Sequence, residues 1–237
     1  MARHKTINEG GYQRGEETRE RIVEAALAIF GAKGYEGAST REIAVAAGVN
    51  APALQYYFDN KEGVYLACAE HITKRVWEHV AGAVETAEQG LTDPQMDDRD
   101  LIETYLAVLS SFFAFIYDSP QSTNWRLFLA REQAGMGPLG AQGAINHTVH
   151  QRISKVTCTI VGRLTGMPPN AEDTIIRTFA INSQAMAFRV LRGRVLDLLA
   201  WDCIDRERME KVRNVLLGQT RIMLLGLGAE RDLANTK

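Results

Sequence analysis

Three side chains within one predicted helical turn could hydrogen-bond to a nucleic acid: Gln55, Tyr56 and Tyr57. The carboxamide of Gln55 carries the donor and acceptor pair that matches the N6 and N7 atoms of adenine. The tyrosine hydroxyls, the ammonium of Lys61 and the amides of the first helical turn can donate to phosphate oxygens. Different groups of one segment would therefore read bases and contact the nucleic-acid backbone.

The helix that carries these groups is predicted to be buried along one narrow edge. On a helical wheel of about 100° per residue, Leu54 and Phe58 lie close together and form that edge. The small side chains of Ala51 and Ala53 would let the backbone approach base edges, and their methyl groups could contact a thymine methyl. The residues predicted to face away from the core are Pro52, Ala53, Gln55 and Tyr56.

Two predicted helices precede this one. Residues 18–33 carry a broad apolar stripe that ends at Gly34, and a second helix opens at Ser39 with the spacing of a capping box to Glu42. After Gly48, a short turn leads to Asn50, a good N-cap for the helix at 51–58. This spacing predicts a helix-turn-helix, whose second helix enters the DNA major groove.

These segments resemble the DNA-binding domain of TetR-family transcriptional regulators. The resemblance is carried, in order, by RIVEAALAIFGAKGYEGAS, STREIAVAAGV and LQYYFDNKEGVY. It implies an all-α homodimer, usually a repressor, whose C-terminal domain binds a small molecule and thereby releases DNA. Asn-Ala-Pro at 50–52 followed by Lys-Glu-Gly-x-Tyr at 61–65 is similar to a subgroup with a larger C-terminal domain, called CerR-like.

The resemblance also implies a set of DNA-contacting positions. Many members of the family carry an aromatic residue where this chain has Gln55, so the preferred base sequence cannot be transferred from them. Arg3, Lys5 and Arg14 could form a basic arm that reaches the minor groove or the backbone; the alternative is a solvated tail. The implied contact residues are Arg41, Ala51, Pro52, Ala53, Gln55, Tyr56, Tyr57 and Lys61.

The rest of the chain reads as longer helices separated by Pro- and Gly-containing breaks, so we expect an all-α fold. Further helices are predicted at about 61–88 and 98–117. One helix follows Ser119-Pro120, and another follows the break at 135–138 and runs to about 164. The last two are predicted at about 170–192 and 205–225. We expect a helix-turn-helix domain at 16–62, a ligand-binding and dimerisation bundle at 63–228, and flexible tails at 1–15 and 229–237.

Polar side chains within apolar helical runs are candidates for an effector pocket, because pockets orient ligands with a few polar groups among apolar walls. The alternative for each is an ordinary place in the core. The candidates are Tyr105, Phe112, Trp125, Arg126, Phe128, Arg131, His147 and Gln184.

The two C-terminal helices carry apolar residues that could form a four-helix interface between two subunits, as the resemblance also implies. The alternative is packing within one chain. These residues are Ile175, Ile176, Phe179, Met186, Val190, Met209, Val212, Leu216 and Met223.

Several functional classes find no support in the sequence. No GxSxG, HExxH, P-loop or dinucleotide fingerprint is present, so we do not expect an enzyme. His147 and His150 share a predicted helix face but lack a third ligand nearby, so neither a metal nor a cofactor is expected. The three cysteines are far apart, no apolar segment suits a signal peptide or a membrane span, and we expect a cytoplasmic protein.

The charge balance argues against a nucleic-acid partner unless the fold concentrates the basic groups. The net charge is −2, and the first 65 residues hold eight Lys and Arg against nine Asp and Glu. Two other classes therefore stay open: an α-helical protein-interaction module without DNA binding, and a small-molecule enzyme built on a helical bundle. Within the regulator class, the sequence does not separate a repressor from an activator.

Overall fold

The computed structural model describes residues 9–118, 122–138 and 149–236, which form helices joined by turns and contain no strand. The all-α prediction is confirmed. The helices are α1 (Glu9–Gly37), α2 (Thr40–Ala46), α3 (Ala51–Tyr57), α4 (Lys61–Gly90), α5 (Asp98–Asp118), α6 (Ser122–Gln133), α7 (Val149–Thr165), α8 (Glu172–Val190), α9 (Arg192–Leu199) and α10 (Arg206–Asn235).

Helix α1 is longer than predicted at its N-terminal end. It begins at Glu9, so residues 9–15, expected as part of a flexible tail, are helical. The backbone leaves helical geometry at Gly34, with φ 76° and ψ 174°, where the sequence predicts the helix to stop. One further turn follows to Gly37 before α2.

The capping box of α2 forms in part. The Ser39 hydroxyl accepts a hydrogen bond from the Glu42 amide at 3.2 Å, as predicted. The Glu42 carboxylate does not return to the cap amide; it accepts from the Ser39 hydroxyl at 3.3 Å and from Lys33 Nζ at 2.5 Å. An ion pair with α1 thus replaces the second half of the box.

The chain divides into two compact units, one within Met1–Ile72 and Thr123–Ile145 and the other within Thr73–Ser122 and Asn146–Lys237. This division differs from the expected boundary near residue 62. The first turns of α4 belong to the first unit, and so does α6, which the sequence assigned to the C-terminal bundle.

In the second unit, α5, α7, α8, α10 and the C-terminal part of α4 pack around the larger of two apolar clusters. Leu101, Tyr105, Ile160 and Leu164 are among its fully buried residues. Helix α10 continues to Asn235, whereas a tail was expected from residue 229. The reason is an ion pair: Arg231 donates to both carboxylate oxygens of Asp98, at 3.0 and 2.8 Å, and fixes the last turns of α10 against α5.

Two further findings, on disulfides and on membrane-spanning helices, apply to the described residues. Cys68, Cys158 and Cys203 are free thiols. None of the described helices combines the length and the apolar character that crossing a membrane requires.

Candidate nucleic-acid interface

Helix α3 is held by a narrow buried edge and presents the rest of its surface to solvent. Leu54 and Phe58 are 1% and 6% exposed, whereas Tyr56 is 84% exposed. Ala51, Pro52 and Gln55 are also exposed, and Ala53 and Tyr57 are half-buried. The wheel prediction agrees with the structure for the buried edge and for Pro52, Gln55 and Tyr56, whereas Ala53, predicted to face outward, is half-buried.

Local hydrogen bonds fix how α3 leaves the turn. The side chain of Asn50 accepts from the Ala53 amide at 2.8 Å and caps the helix. Gly48 has φ 66°, a left-handed value that glycine adopts without strain, and this value lets the chain reverse after α2. The Val49 amide donates to the Ala44 carbonyl at 2.9 Å. Together these contacts fix α2 and α3 as a helix-turn-helix.

Two of the predicted phosphate donors have partners inside the first unit. Lys61 Nζ lies 4.4 Å from the ring centroid of Tyr35 and donates to the Glu36 carbonyl at 3.4 Å. The ring of Tyr57 packs edge-on against Tyr56, with centroids 5.3 Å apart. Lys61 therefore also stabilises the packing of α4 against α1.

The basic groups around α3 are placed as follows. Arg41 is exposed in the first turn of α2, at the rim of a shallow groove lined by Ile29, Val45 and Ala46. Arg14 is exposed on α1, so it belongs to a helix and not to a flexible arm. Arg3 and Lys5 lie outside the described residues.

An aromatic cluster lies in the same unit as this surface. Phe30, Tyr35, Tyr65 and Phe128 join α1, α4 and α6, with the Tyr65 and Phe128 ring centroids 4.7 Å apart. The Tyr65 hydroxyl donates to the Glu132 carboxylate at 2.5 Å. Burial and the neighbouring Glu132 charge raise the pKa of Tyr65 well above its usual range.

Helix α6 is tied to the end of α1 by a charged side chain. Arg131 donates through Nε to the Gly31 carbonyl at 3.0 Å and through Nη2 to the Ala32 carbonyl at 3.1 Å. Both carbonyls lie in the last turn of α1 before the backbone leaves helical geometry at Gly34. Arg131 thus caps the main part of α1 from a helix about a hundred residues away.

The predicted effector residues are divided between the two units. In the first unit, Trp125 packs edge-on against His71 with centroids 5.4 Å apart, and Arg126 is half-buried. Phe128 and Arg131 make the contacts with α1 and α4 given above. A pocket role for these four residues stays a prediction.

The other effector candidates lie in the second unit or outside the described residues. Tyr105 is fully buried and donates to the Asn182 side chain at 2.8 Å. Gln184 donates to the Ile181 carbonyl at 3.0 Å, and in the described structure its buried Oε1 has no partner. Phe112 packs against the apolar core, and His147 falls outside the described residues. Their pocket role is likewise untested.

Helices α8 and α10 leave large apolar side chains uncovered. Ile175, Ile176 and Phe179 are 50%, 57% and 73% exposed on α8, as a subunit interface would require. Val212 and Leu216, predicted for the same interface, are instead buried within the chain at 6% and 4% exposure. The outward residues of α10, which the sequence pattern missed, are Val215, Ile222, Leu225 and Leu233.

The error on α10 has a simple physical reason. The apolar residues of this helix cover both an inward and an outward stripe, so periodicity alone does not tell which stripe faces the core. The side chains of Met186 and Val190 lie outside the described set. No group of His, Cys, Asp and Glu able to hold a metal ion occurs among the residues that the structure describes.

Two family models match different parts of the chain. Residues 22–68 match the family described as bacterial regulatory proteins, tetR family. Residues 101–227 match the C-terminal domain of the HTH-type transcriptional dual regulator CecR. The subgroup that the sequence pattern predicts under the name CerR-like corresponds to this CecR match.

Two curated relatives and two solved structures give the extent of the similarity. The chain is 30% identical to the HTH-type transcriptional dual regulator CecR of Shigella flexneri over 220 residues, covering 93% of this chain and 96% of that protein. It is 33% identical over 93 residues to the probable HTH-type transcriptional regulator YttP of Bacillus subtilis, covering 39% and 42% of the two chains. A crystal structure of AibR in complex with isovaleryl coenzyme A and operator DNA has a TM-score of 0.61 at 16% identity, covering 85% of this chain and 97% of that one. A putative transcriptional regulator from Pseudomonas aeruginosa PAO1 has a TM-score of 0.62 at 17% identity, covering 91% and 94%.

Proposed function

The chain belongs to the TetR family of DNA-binding transcriptional regulators and carries a CecR-type C-terminal domain, and from this premise we propose that it is a ligand-responsive homodimeric repressor. It would act in the cytoplasm on a pseudo-palindromic operator, bound through the helix at 51–58. A small-molecule effector would release it. We do not expect it to be an enzyme, since the relatives are named as regulators.

The observation that supports the DNA-binding role most directly is the exposure of Gln55 and Tyr56 on α3. Neither side chain takes part in the buried edge that holds this helix to its own domain. In the proposed complex Gln55 reads a base edge and Tyr56 donates to a phosphate, while Ala51, Pro52 and Ala53 allow close approach. Arg41, Tyr57, Lys61 and Arg14 supply further backbone contacts.

The uncovered apolar residues of α8 and α10 support the homodimer. A two-fold axis would bring two such helix pairs together as a four-helix interface and remove Phe179 and Ile222 from water. The two recognition helices would then enter major grooves roughly one helical turn, about 34–36 Å, apart.

Release by an effector requires that the effector bind the DNA-free conformation more tightly than the DNA-bound one. A hundredfold loss of operator affinity needs a coupling free energy of about 2.7 kcal/mol. The polar groups that would supply it are the predicted pocket residues Tyr105, Arg126, Arg131, His147 and Gln184, with Phe112, Trp125 and Phe128 as apolar walls.

The experiment that tests this proposal is selection of random duplex DNA by the purified protein at fixed salt, followed by sequencing of the retained fraction. We expect an enriched motif with two-fold symmetry. Weak binding that vanishes as salt is raised, with no motif, would instead favour an interaction module that contacts protein through α3.

Two substitutions separate base reading from backbone contact. Gln55→Ala should relax preference at one base pair of each half-site, by about 1–3 kcal/mol of lost discrimination. Tyr56→Phe should weaken all operators by a similar factor, because phosphate contacts carry no sequence information. Tyr35→Phe, off the recognition helix, is the control. A Gln55→Ala protein with unchanged base preference at every position would exclude Gln55 from direct readout.

A further inference from the structure

The N-terminal turns of α1 lie beside the C-terminal end of α3. A Cβ added at Gly15, in the stretch that was expected to be a tail, would lie 3.8 Å from the hydroxyl of Tyr57. One turn further along α1, the guanidinium carbon of Arg19 lies 5.4 Å from the ring centroid of Phe58. Gly15 and Arg19 are four positions apart and therefore share one face of α1. This face meets the last residue of α3 and its C-cap.

The backbone conformation gives no reason for a glycine at position 15. Gly15 lies within α1 and is not among the glycines with positive φ. Glycine inside a helix is unfavourable, because it loses more conformational freedom than any other residue. Apart from atoms of α1 close to it, the Tyr57 hydroxyl is the one atom of the described chain that a Cβ there would meet within 4 Å. A side chain longer than a methyl group would therefore compete with this hydroxyl for space.

Arg19 covers the ring of Phe58 from α1. The guanidinium is attracted by the negative face of the ring, which is 6% exposed. Its Nη2 also lies 3.9 Å from a carboxylate oxygen of Glu70 on α4. This ion pair is long and exposed and contributes little by itself, but it favours a guanidinium that lies over the ring. Phe58 is thus packed against α1 where α3 ends.

Ring contacts continue from Phe58 to the exposed Tyr56. The ring centroid of Tyr57 lies 6.4 Å from that of Phe58, and 5.3 Å from that of Tyr56 with the two planes at 85°. Such edge-to-face packing is a favoured arrangement of aromatic rings. Tyr56 is 84% exposed, so the ring of Tyr57 is its main packing surface. The direction of the Tyr56 hydroxyl therefore depends on Tyr57, which in turn contacts α1.

We propose that Gly15 and Arg19 position Tyr57 and Tyr56 for contact with DNA. The inference rests on the proposed DNA-binding function and deepens it. Neither Gly15 nor Arg19 touches DNA; both are positioning residues that act through the tyrosine pair. A hydroxyl that already points in the bound direction loses less side-chain freedom on binding, so its phosphate contact contributes more to affinity. The N-terminal turns of α1 thus take part in operator binding without a contact of their own.

Substitutions at Gly15 test the proposal, because their effects on stability and on DNA binding should differ in sign. Leucine favours a helix over glycine, so Gly15→Leu should leave the free energy of unfolding at or above its wild-type value. Its side chain should displace the Tyr57 hydroxyl and weaken binding to a labelled duplex of the selected motif by about tenfold, the scale of one charge-assisted hydrogen bond. The methyl group of Gly15→Ala makes only van der Waals contact, so this variant should bind like wild type. Gly82→Leu, where a Cβ meets nothing within 4 Å, is the matched control.

A Tyr57→Phe background shows whether the effect passes through the hydroxyl. This variant lacks the atom that a side chain at Gly15 would meet. The affinity loss caused by Gly15→Leu should shrink there to less than about threefold, since the two sites no longer interact. An equal loss in both backgrounds, or full operator affinity in Gly15→Leu, would contradict the proposal.

Arg19→Met separates positioning from a direct phosphate contact. Methionine keeps an apolar side chain but removes the cation over Phe58. Affinity should fall by about two- to fivefold for every operator sequence, the scale of an exposed cation–π contact. The slope of log K against log salt should not change, because no phosphate contact is lost. A slope smaller by about 1 would make Arg19 a phosphate contact and exclude the positioning role.

Proton NMR of the DNA-free protein with ring-labelled tyrosine gives a readout that needs no operator. The Tyr56 resonances, assigned by comparison with Tyr56→Phe, should show a ring-current shift from Tyr57. Gly15→Leu should reduce this shift, whereas Gly15→Ala should preserve it. Unchanged Tyr56 resonances in Gly15→Leu would show that α1 does not set the direction of this ring.

Failure of the proposed function has a different signature. A wild-type protein that selects no DNA motif would remove the DNA-binding role and this inference with it. A wild-type protein that selects a motif and binds it equally well as Gly15→Leu would remove the inference alone.

Discussion

Gly34 and Gly48 both have a positive φ, 76° and 66°, in quite different surroundings. A Cβ at Gly48 would meet nothing within 4 Å. A Cβ at Gly34 would lie 3.2 Å from Nη1 of Arg131, the side chain that caps α1. Substitution at Gly48 therefore changes backbone strain alone, whereas substitution at Gly34 also displaces a hydrogen-bonded guanidinium.

We predict that Gly34→Ala destabilises the protein more than Gly48→Ala. Backbone strain should cost about 1–2 kcal/mol at Gly48. It should be larger at Gly34, whose φ 76° and ψ 174° lie in a region that is essentially restricted to glycine. Displacing Arg131 should add about 1 kcal/mol, the scale of a partly exposed hydrogen bond. In an Arg131→Ala background the cost of Gly34→Ala should fall by about 1 kcal/mol, whereas the cost of Gly48→Ala should not change. Urea unfolding followed by circular dichroism measures all four values, and an undiminished cost of Gly34→Ala in that background would contradict the prediction.

At the scale of single residues, the sequence predicts the contacts that form between neighbours in the chain. The caps at Ser39 and Asn50 and the stop at Gly34 depend on residues within a few positions, and the structure agrees with them. Arg131 is predicted as a pocket residue because it is a polar group within an apolar helical run. Its contact with Gly31 and Ala32 is not predicted, because these residues are about a hundred positions away and leave no periodic signal. Whether it also reaches an effector stays untested.

Helix α6 contacts α4 through the buried hydroxyl and ring of Tyr65, and this hydroxyl ionises at high pH. The pKa of Tyr65 is raised above its usual value near 10 by burial and by Glu132. Its stabilising contribution is therefore fully present below about pH 10 and is lost as the pH rises above it. Tyr105, in the second unit, has a pKa raised in the same direction by burial.

We predict that the free energy of unfolding falls above pH 10, and that Tyr65→Phe makes this fall shallower. Each such tyrosine contributes a slope of up to about 1.4 kcal/mol per pH unit, because the unfolded chain ionises and the folded one does not. Urea unfolding between pH 8 and 11 measures the slope. Tyr56→Phe, at an exposed tyrosine, is the control; an equal slope in wild type and Tyr65→Phe would refute the assignment.

The sequence predicts the bounds of some helices well and misses others. The bounds of α4, α5 and α8 lie close to the predicted ones, because strong apolar stripes and breakers mark them. Helix α9 was not predicted: its N-cap is Leu191, which makes no side-chain capping bond, and none of its residues is fully buried. The extra turns of α10 depend on Asp98 and Arg231, which are 133 positions apart.

At the scale of the whole molecule, the outward stripe of α10 contains glycines beside its apolar residues. Val215, Ile222 and Gly226 follow one another at seven and four positions and so share a face. A Cβ at Gly226 or Gly218 would meet nothing within 4 Å of the chain itself. Small residues at such positions let two helix backbones approach closely.

We therefore predict that Gly226→Leu strengthens the helix and weakens the proposed homodimer. Leucine should favour the helix by about 0.8 kcal/mol over glycine, while its side chain would hold the partner helix away. Gly82→Leu, on α4 and equally open, should keep the helix gain without affecting association. Thermal unfolding at low concentration and sedimentation equilibrium measure the two effects. A Gly226→Leu dimer as tight as wild type would place α10 outside the interface.

The first unit draws on two stretches of chain, with α6 entering long after α1 to α4 have been made. Before Phe128 is synthesised, the rings of Phe30 and Tyr65 lack one of their packing partners. At about 5–20 residues per second, the ribosome needs several seconds to add the residues from Ile72 to Gln133. During synthesis the helix-turn-helix is thus complete in sequence before the aromatic cluster of the same unit gains its ring from α6, and in this interval part of that cluster is exposed to water.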